Sequence, residues 1–327
     1  MIINLCIFLF VLSIHFVLDK NKNKIYGRYF LDVPDSNRKI HLKPTYLLGG
    51  HYIFISYIIY LIISPDYILN QKIILFFTFT LIFLIGVLDD LKDLKPILKL
   101  SIILIIYLII VFFDNSYLLK VIYFETFDKN LNFGKYSYFI SSLCFLLLIN
   151  AFNLIDGING LAMMIFIIFL VFLKYYLNID LNFFILIFFI FIFFNIYKGR
   201  YFLGNSGSLF IGAIIGLHTI KSYNLSFVEK NSAEDIFILF LVPGLDMLRL
   251  FIQRITNKEN PFKADKSHLH HLLIKKYSLE KVLFIYFFVI ITSSYMAFNN
   301  YLPEIIIILT VTVIYFLALF LLKKKIL

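Results

Sequence analysis

The sequence predicts an all-α, polytopic integral membrane protein with about eleven transmembrane helices, the N-terminus outside and the C-terminus in the cytoplasm. Three observations carry that prediction. The 327 residues are 61% hydrophobic and 15% charged, whereas soluble chains run closer to half apolar and a quarter charged. Apolar stretches of roughly 17 to 20 residues, long enough to cross a bilayer as helices, recur along the chain. And 23 of the 30 Lys and Arg residues fall in alternate connections or in the C-terminal tail, the bias expected of segments held in the cytoplasm.

The stretches lie near 2–18, 46–64, 72–88, 97–113, 137–152, 158–177, 181–197, 206–222, 234–252, 282–298 and 302–322. The first has no basic flank before it and no small-residue cleavage site after it, so it reads as a span rather than a cleaved signal peptide. Cys6 and Cys144 both sit inside apolar stretches and read as small core residues, not as a disulfide or a metal pair. The net charge of +10 is accounted for by a basic surface facing anionic lipid, without nucleic acid. An ion channel or transporter would place ionisable residues in mid-membrane. The spans here carry few, His15 and His218 among them, and no internal repeat.

The odd-numbered connections, 19–45, 89–99, 153–157, 198–208 and 249–281, hold every dense polar cluster. Five clusters on one face of a helix bundle can converge on one site, so the chain reads as a single transmembrane domain, 1–327, with its site built from these loops.

In loop one, Arg38, Lys39 and His41 lie between Asp32-Val33-Pro34 and Gly49-Gly50. A positive-inside anchor explains the charges but not the paired glycines. In loop three, Asp89, Asp90 and Asp93 follow an apolar run. Acids near a helix C-terminus are disfavoured, so the adjacent pair calls for a countercharge or a metal, and Lys99 is placed to be the former. Asp93 is accounted for by surface pairing with Lys92 or Lys95. In loop five, Asn150, Asn153, Asp156 and Asn159 recur every three residues. They share a helix face, and Asp156-Gly157 also suits a capped turn. Loop seven carries Gly204-Asn205-Ser206-Gly207-Ser208, either a plain turn or a helix N-terminus open to an anion. Loop nine carries His268, His270 and His271 near Arg249, Arg254, Lys263 and Lys266. Without nearby cysteines this is a poor zinc site and a better phosphate-binding surface.

Taken together, these segments resemble the polyprenyl-phosphate N-acetylhexosamine-1-phosphate transferases of bacterial envelope synthesis (glycosyltransferase family 4). "DVPDSNRKIH" with its Gly-Gly, "DDLKD", "NAFNLIDGINGL", "PGLDMLRLFIQRI" and "PFKADKSHLHH" resemble that family's motifs in the same order, with Lys266 where the family has arginine. The His-x-His-His form resembles the undecaprenyl-phosphate GlcNAc-1-phosphate transferase branch that starts O-antigen of lipopolysaccharide, enterobacterial common antigen and wall teichoic acid. The resemblance implies transfer of an N-acetylhexosamine-1-phosphate from UDP-GlcNAc, or a modified UDP-sugar, to undecaprenyl phosphate at the inner membrane, with UMP released. It implies Mg²⁺, or Mn²⁺ in its place, held by Asn153, Asp156 and Asn205. Asp89, Asp90, Asp156 and Lys99 are the implied catalytic set. Asn153, His268, His270, His271, Arg38, Lys39 and Arg254 are the implied substrate contacts. The expected partners are these two substrates, membrane lipid and a second copy in a homodimer. Asn205 departs from the family, which has aspartate there. An amide keeps one oxygen and loses the charge, which weakens a magnesium site and leaves open a catalytically impaired scaffold.

Overall fold

In the computed structural model, the described residues are 2–33, 43–64, 68–176, 183–226, 232–260 and 266–324. Arg38, Lys39, His41 and Lys263 lie outside them. The described helices are α1 (Ile2–Lys20), α2 (Lys22–Ile25), α3 (Gly49–Ile63), α4 (Leu69–Lys92), α5 (Pro96–Phe113), α6 (Ser137–Ile155), α7 (Leu161–Tyr176), α8 (Phe183–Tyr197), α9 (Gly204–Ser226), α10 (Ala233–Leu239), α11 (Leu241–Thr256), α12 (Leu269–Ile274), α13 (Leu279–Phe298) and α14 (Glu304–Lys324). Among the described residues a helix covers most of each predicted apolar stretch, and one stretch is broken. The stretch 234–252 divides into α10 and α11 around Phe240, just before Pro243, a residue tolerated only in the first turn of a helix.

Among the described residues, five helices are long and apolar enough to cross a membrane: Leu69–Lys92, Pro96–Phe113, Gly134–Ile155, Leu279–Phe298 and Glu304–Leu322. Gly49–Ile63 and Leu161–Tyr175 are shorter apolar helices. Large apolar side chains such as Phe112, Phe113 and Phe320 face outward, a surface suited to lipid rather than water. The chain is therefore an α-helical membrane protein with several spans.

α9 is the hub, packed against α3, α4, α6 and α7. Residues 206–220 along it are all buried, so it is enclosed on every side. Its start meets α3 at a crossing without side chains. A β-carbon on Gly50 would come within 2.7 Å of the Gly207 α-carbon. The backbone also joins there, with Gly49 N donating to Phe202 O at 2.9 Å and Gly50 N to Leu203 O at 3.0 Å. That is the role of the glycine pair that charge alone left unexplained. The two ionisable residues noted in the spans are partnered: His218 pairs with Tyr57, and His15 Nε2 lies 3.2 Å from Ser56 Oγ.

Two features lie beyond the sequence reading. A hairpin pairs β3 (Val121–Phe124) with β4 (Lys129–Asn132), after the short β1 (Leu31–Asp32) and β2 (Thr45–Tyr46) pair. Glu234 of α10 accepts from Glu125 N and Thr126 N at the hairpin's tip.

Candidate active site

The C-terminal end of α4 carries the two acids, and each is held differently. Asp89 is buried; its Oδ2 accepts from Lys99 Nζ at 2.8 Å and its Oδ1 from Leu94 N at 2.8 Å. Lys99 reaches it because α5 starts again after a short break, with Pro96 in its first turn. Asp93 closes α4 in the left-handed conformation, φ 49°. Asp90 turns to the hub helix. Its oxygens accept from Asn205 N at 2.7 Å and Ser206 N at 3.0 Å, so a carboxylate supplied by α4 caps the N-terminus of α9. Negative charge there complements the helix dipole.

Loop five closes the ring. Asn153, on the last turn of α6, donates from Nδ2 to Asn205 Oδ1 and to Ser208 Oγ, both at 2.9 Å. Its Oδ1 faces Lys99 Nζ at 3.5 Å. Asp156 ends α6. Among the described residues its carboxylate has no hydrogen-bond partner. Burial first, and then the charge of Asp90, push its carboxyl well above the usual carboxylate range.

Loop nine arrives from the other side. Asp246 on α11 is buried and holds His268: Nδ1 of the imidazole lies 2.8 Å from Asp246 Oδ2. Tyr315 Oη on α14 donates to Asp246 Oδ1 at 2.7 Å, and Arg249 Nη2 does so at 3.0 Å. Arg249 also donates from Nε to Tyr315 Oη and from Nη2 to Ser267 O. Its guanidinium is thus committed to positioning loop nine, in place of the phosphate-facing role its sequence neighbourhood suggested. His270 is 1% exposed, and among the described residues neither ring nitrogen has a partner. Burial, with His271 and His268 adding to it, holds its imidazole well below its ordinary pKa. It packs on Gly157 of loop five. Arg254 is buried on α11.

Four of the five predicted loops therefore meet at one end of the bundle: Asp89, Asp90 and Lys99 from loop three, Asn153 and Asp156 from loop five, Asn205 from loop seven, His268 and His270 from loop nine. Arg38 and Lys39 lie outside the described residues. Asp246, Tyr315 and Ser208 are additions. Asp246 was readable only as part of the "PGLDMLRL" motif, and nothing local marks Tyr315.

The donor set suits magnesium in one particular mode. Among the described residues no three His, Cys, Asp or Glu form a metal site, and the Asn205 amide oxygen is engaged by Asn153. What remains is a carboxylate, Asp156, that burial and a like charge leave short of positive charge, three residues after the Asn153 amide at the end of α6. Mg²⁺ is commonly held by one or two carboxylates plus water and substrate phosphates, and these residues fit an ion bound that way.

Comparison with known proteins bears on the family of the chain. Residues 72–223 match the sequence pattern of Glycosyl transferase family 4. The chain is 30% identical over 257 residues, 78% of its length and 77% of the relative's, to the undecaprenyl-phosphate alpha-N-acetylglucosaminyl 1-phosphate transferase of Thermotoga maritima. It is 28% identical over 249 residues (73% of this chain, 68% of the relative) to a probable undecaprenyl-phosphate N-acetylglucosaminyl 1-phosphate transferase of Bacillus subtilis. The Escherichia coli O157:H7 protein of the same name as the Thermotoga relative is 25% identical over 282 residues, covering 82% of this chain and 75% of the relative.

Proposed function

Because the chain belongs to glycosyl transferase family 4, we propose that it transfers an N-acetylhexosamine-1-phosphate from a UDP-sugar, UDP-GlcNAc or a modified form, to undecaprenyl phosphate. An oxygen of the acceptor phosphate forms a bond to the sugar-linked phosphorus. The pyrophosphate P–O bond to the uridylyl side breaks, and UMP leaves with the electron pair. One pyrophosphate linkage replaces another, so the step is nearly isoenergetic. The product opens a lipid-linked envelope glycan.

The observation that carries this reading is the continuous set of contacts from Asp89 through Lys99, Asn153 and Asn205 to Ser208, with Asp156 and His270 beside it. Lys99 places positive charge where phosphate oxygens approach. His270, neutral and unpartnered, can accept from or donate to the sugar or diphosphate. Arg254, and Arg38 and Lys39 of loop one, are assigned to the substrate anions. Asp156 would hold Mg²⁺, with the amide oxygens of Asn153 and Asn205 each using the lone pair left beside its present hydrogen bond; the ion would neutralise charge on the pyrophosphate oxygens. A phosphate monoester has its second pKa near 6, so the acceptor is already mostly dianionic at neutral pH. Asp89 and Asp90 need not act as bases, and their hydrogen bonds suit positioning.

The recurring apolar stretches support eleven spans, and the Lys and Arg bias supports the N-terminus outside and the polar loops facing the cytoplasm of a bacterial inner membrane, the side on which both substrates would meet. The test is a membrane assay with undecaprenyl phosphate, Mg²⁺ and a panel of labelled UDP-N-acetylhexosamines. Lipid-linked sugar with equal UMP release is the expected result. Neither product from any donor overturns the proposal.

A further inference from the structure

A cavity of about 250 Å³ lies between α11, α12, α13 and α14. None of Asp89, Asp90, Lys99, Asn153 or Asp156 lines it. Its walls are apolar, with Val242 of α11, Leu269 of α12, Val289 of α13 and Val311 of α14 among them, and Lys276 is the single charged residue in the lining among the described residues. It opens sideways: Ile285, Ile314 and Leu321 line it and are themselves substantially exposed on the apolar exterior.

The charge at one end is unbalanced. Lys276 is exposed and packs over the Tyr277 ring at 5.2 Å. Among the described residues, Lys275, Lys276 and Lys281 have no carboxylate partner. The neighbouring Glu280 accepts from Tyr197 Oη. Leu322 also lines the cavity. An apolar slot open to the bilayer with excess ammonium groups at one end fits an amphiphile of matching polarity. At about 30 Å³ per water-sized group, the slot takes roughly eight methylenes, a section of one acyl chain.

We infer that this cavity binds an anionic phospholipid of the surrounding bilayer, one acyl chain between α13 and α14 and the phosphate at Lys276. The site goes beyond the transferase reading and does not depend on it. Its inner wall includes the Tyr315 ring, whose hydroxyl holds Asp246 and, through it, His268. The bound chain therefore packs against the far side of the element that positions loop nine.

The test needs no turnover. The full chain is reconstituted in nanodiscs of phosphatidylcholine with and without phosphatidylglycerol, and the lipid it retains on release is counted by native mass spectrometry. The expected result is one retained phosphatidylglycerol in preference to phosphatidylcholine. Lys276→Gln should lower that preference roughly tenfold, the size of one charged contact. Ala318→Trp should abolish retention by filling the slot. Val289→Phe is a milder plug with the same expected loss, read only on protein with an unchanged thermal midpoint. No retained lipid in the unmodified chain, or retention indifferent to both plugs, overturns the inference. So does displacement of the lipid by undecaprenyl phosphate, which would assign the slot to the acceptor's chain.

Discussion

Gly157 and His270 touch because Gly157 has no side chain. A β-carbon there would meet His270 Nε2 head-on and lie 2.8 Å from His271 Nε2. Loops five and nine are thus joined by an absence of atoms. Gly157→Ala should push the histidines away while leaving the helices intact. A displacement of about 1 Å at a reacting site costs on the order of 100-fold in rate. Transfer rates for the substitution, beside an unfolding curve that shifts little, are the measurement. A near-normal rate would mean that the histidines do not touch substrate.

Lys99 and Asp89 form a buried ion pair, with side chains 11% and 3% exposed. Removing one partner of such a pair leaves a charge stranded, at a cost of about 3–5 kcal/mol. Lys99→Met should lose stability of that order in detergent unfolding. The double change Lys99→Met with Asp89→Leu should recover most of it, since an apolar replacement of both partners is close to neutral.

Asn205→Asp places a third acid beside Asp90 and Asp156. Without divalent cation the variant should be less thermally stable than the parent. Mg²⁺ should return that stability and bind at lower concentration than in the parent, because an anionic oxygen is the better ligand. A magnesium titration of the thermal midpoint reads both effects. An unchanged midpoint at every concentration would remove this position from the ion's surroundings.

Tyr315→Phe removes the hydroxyl that donates to Asp246 at 2.7 Å. A hydrogen bond to a charged group contributes about 1.5–3 kcal/mol. The rate should fall roughly 10- to 100-fold as His268 loses its fixed partner, if that energy is felt at the site. Because the ring stays, packing against α13 should be kept.

The His270 imidazole is held well below its ordinary pKa by burial and by its histidine neighbours, with Asp246 opposing them. In the unfolded chain it titrates near about 6.5. The folded state therefore binds fewer protons there, so stability contributed by this group is present above about pH 6.5 and falls as the pH drops below it. His270→Gln should flatten the acid side of a plot of thermal midpoint against pH.

The helices were legible in the sequence because apolar runs report burial or lipid directly. The loop motifs were legible because Asp89, Asp90 and Lys99 lie within a few turns of one another, and because Asn150, Asn153 and Asp156 share a period. The pairing between loops was not. Asp246 precedes His268 by 22 residues and Tyr315 follows Asp246 by 69, and no local pattern reports contacts at that range. Asn205 shows the same limit. Its substitution for the family aspartate was visible, but not that its amide oxygen would be occupied by Asn153. Gly49 and Gly50 were visible too, and only the approach of Gly207 and Leu203 explains them.

The Tyr315–Asp246 hydrogen bond also sets an order of assembly. Every motif residue has been synthesised by the time His271 leaves the ribosome, yet Tyr315, one of the two side-chain donors to Asp246 Oδ1, belongs to α14. A chain cut short before α14 carries all five motifs and lacks one of the groups, beside Arg249, that hold Asp246 under the histidine loop. A product truncated before α14 would carry the motifs while Asp246 kept Arg249 and lost Tyr315.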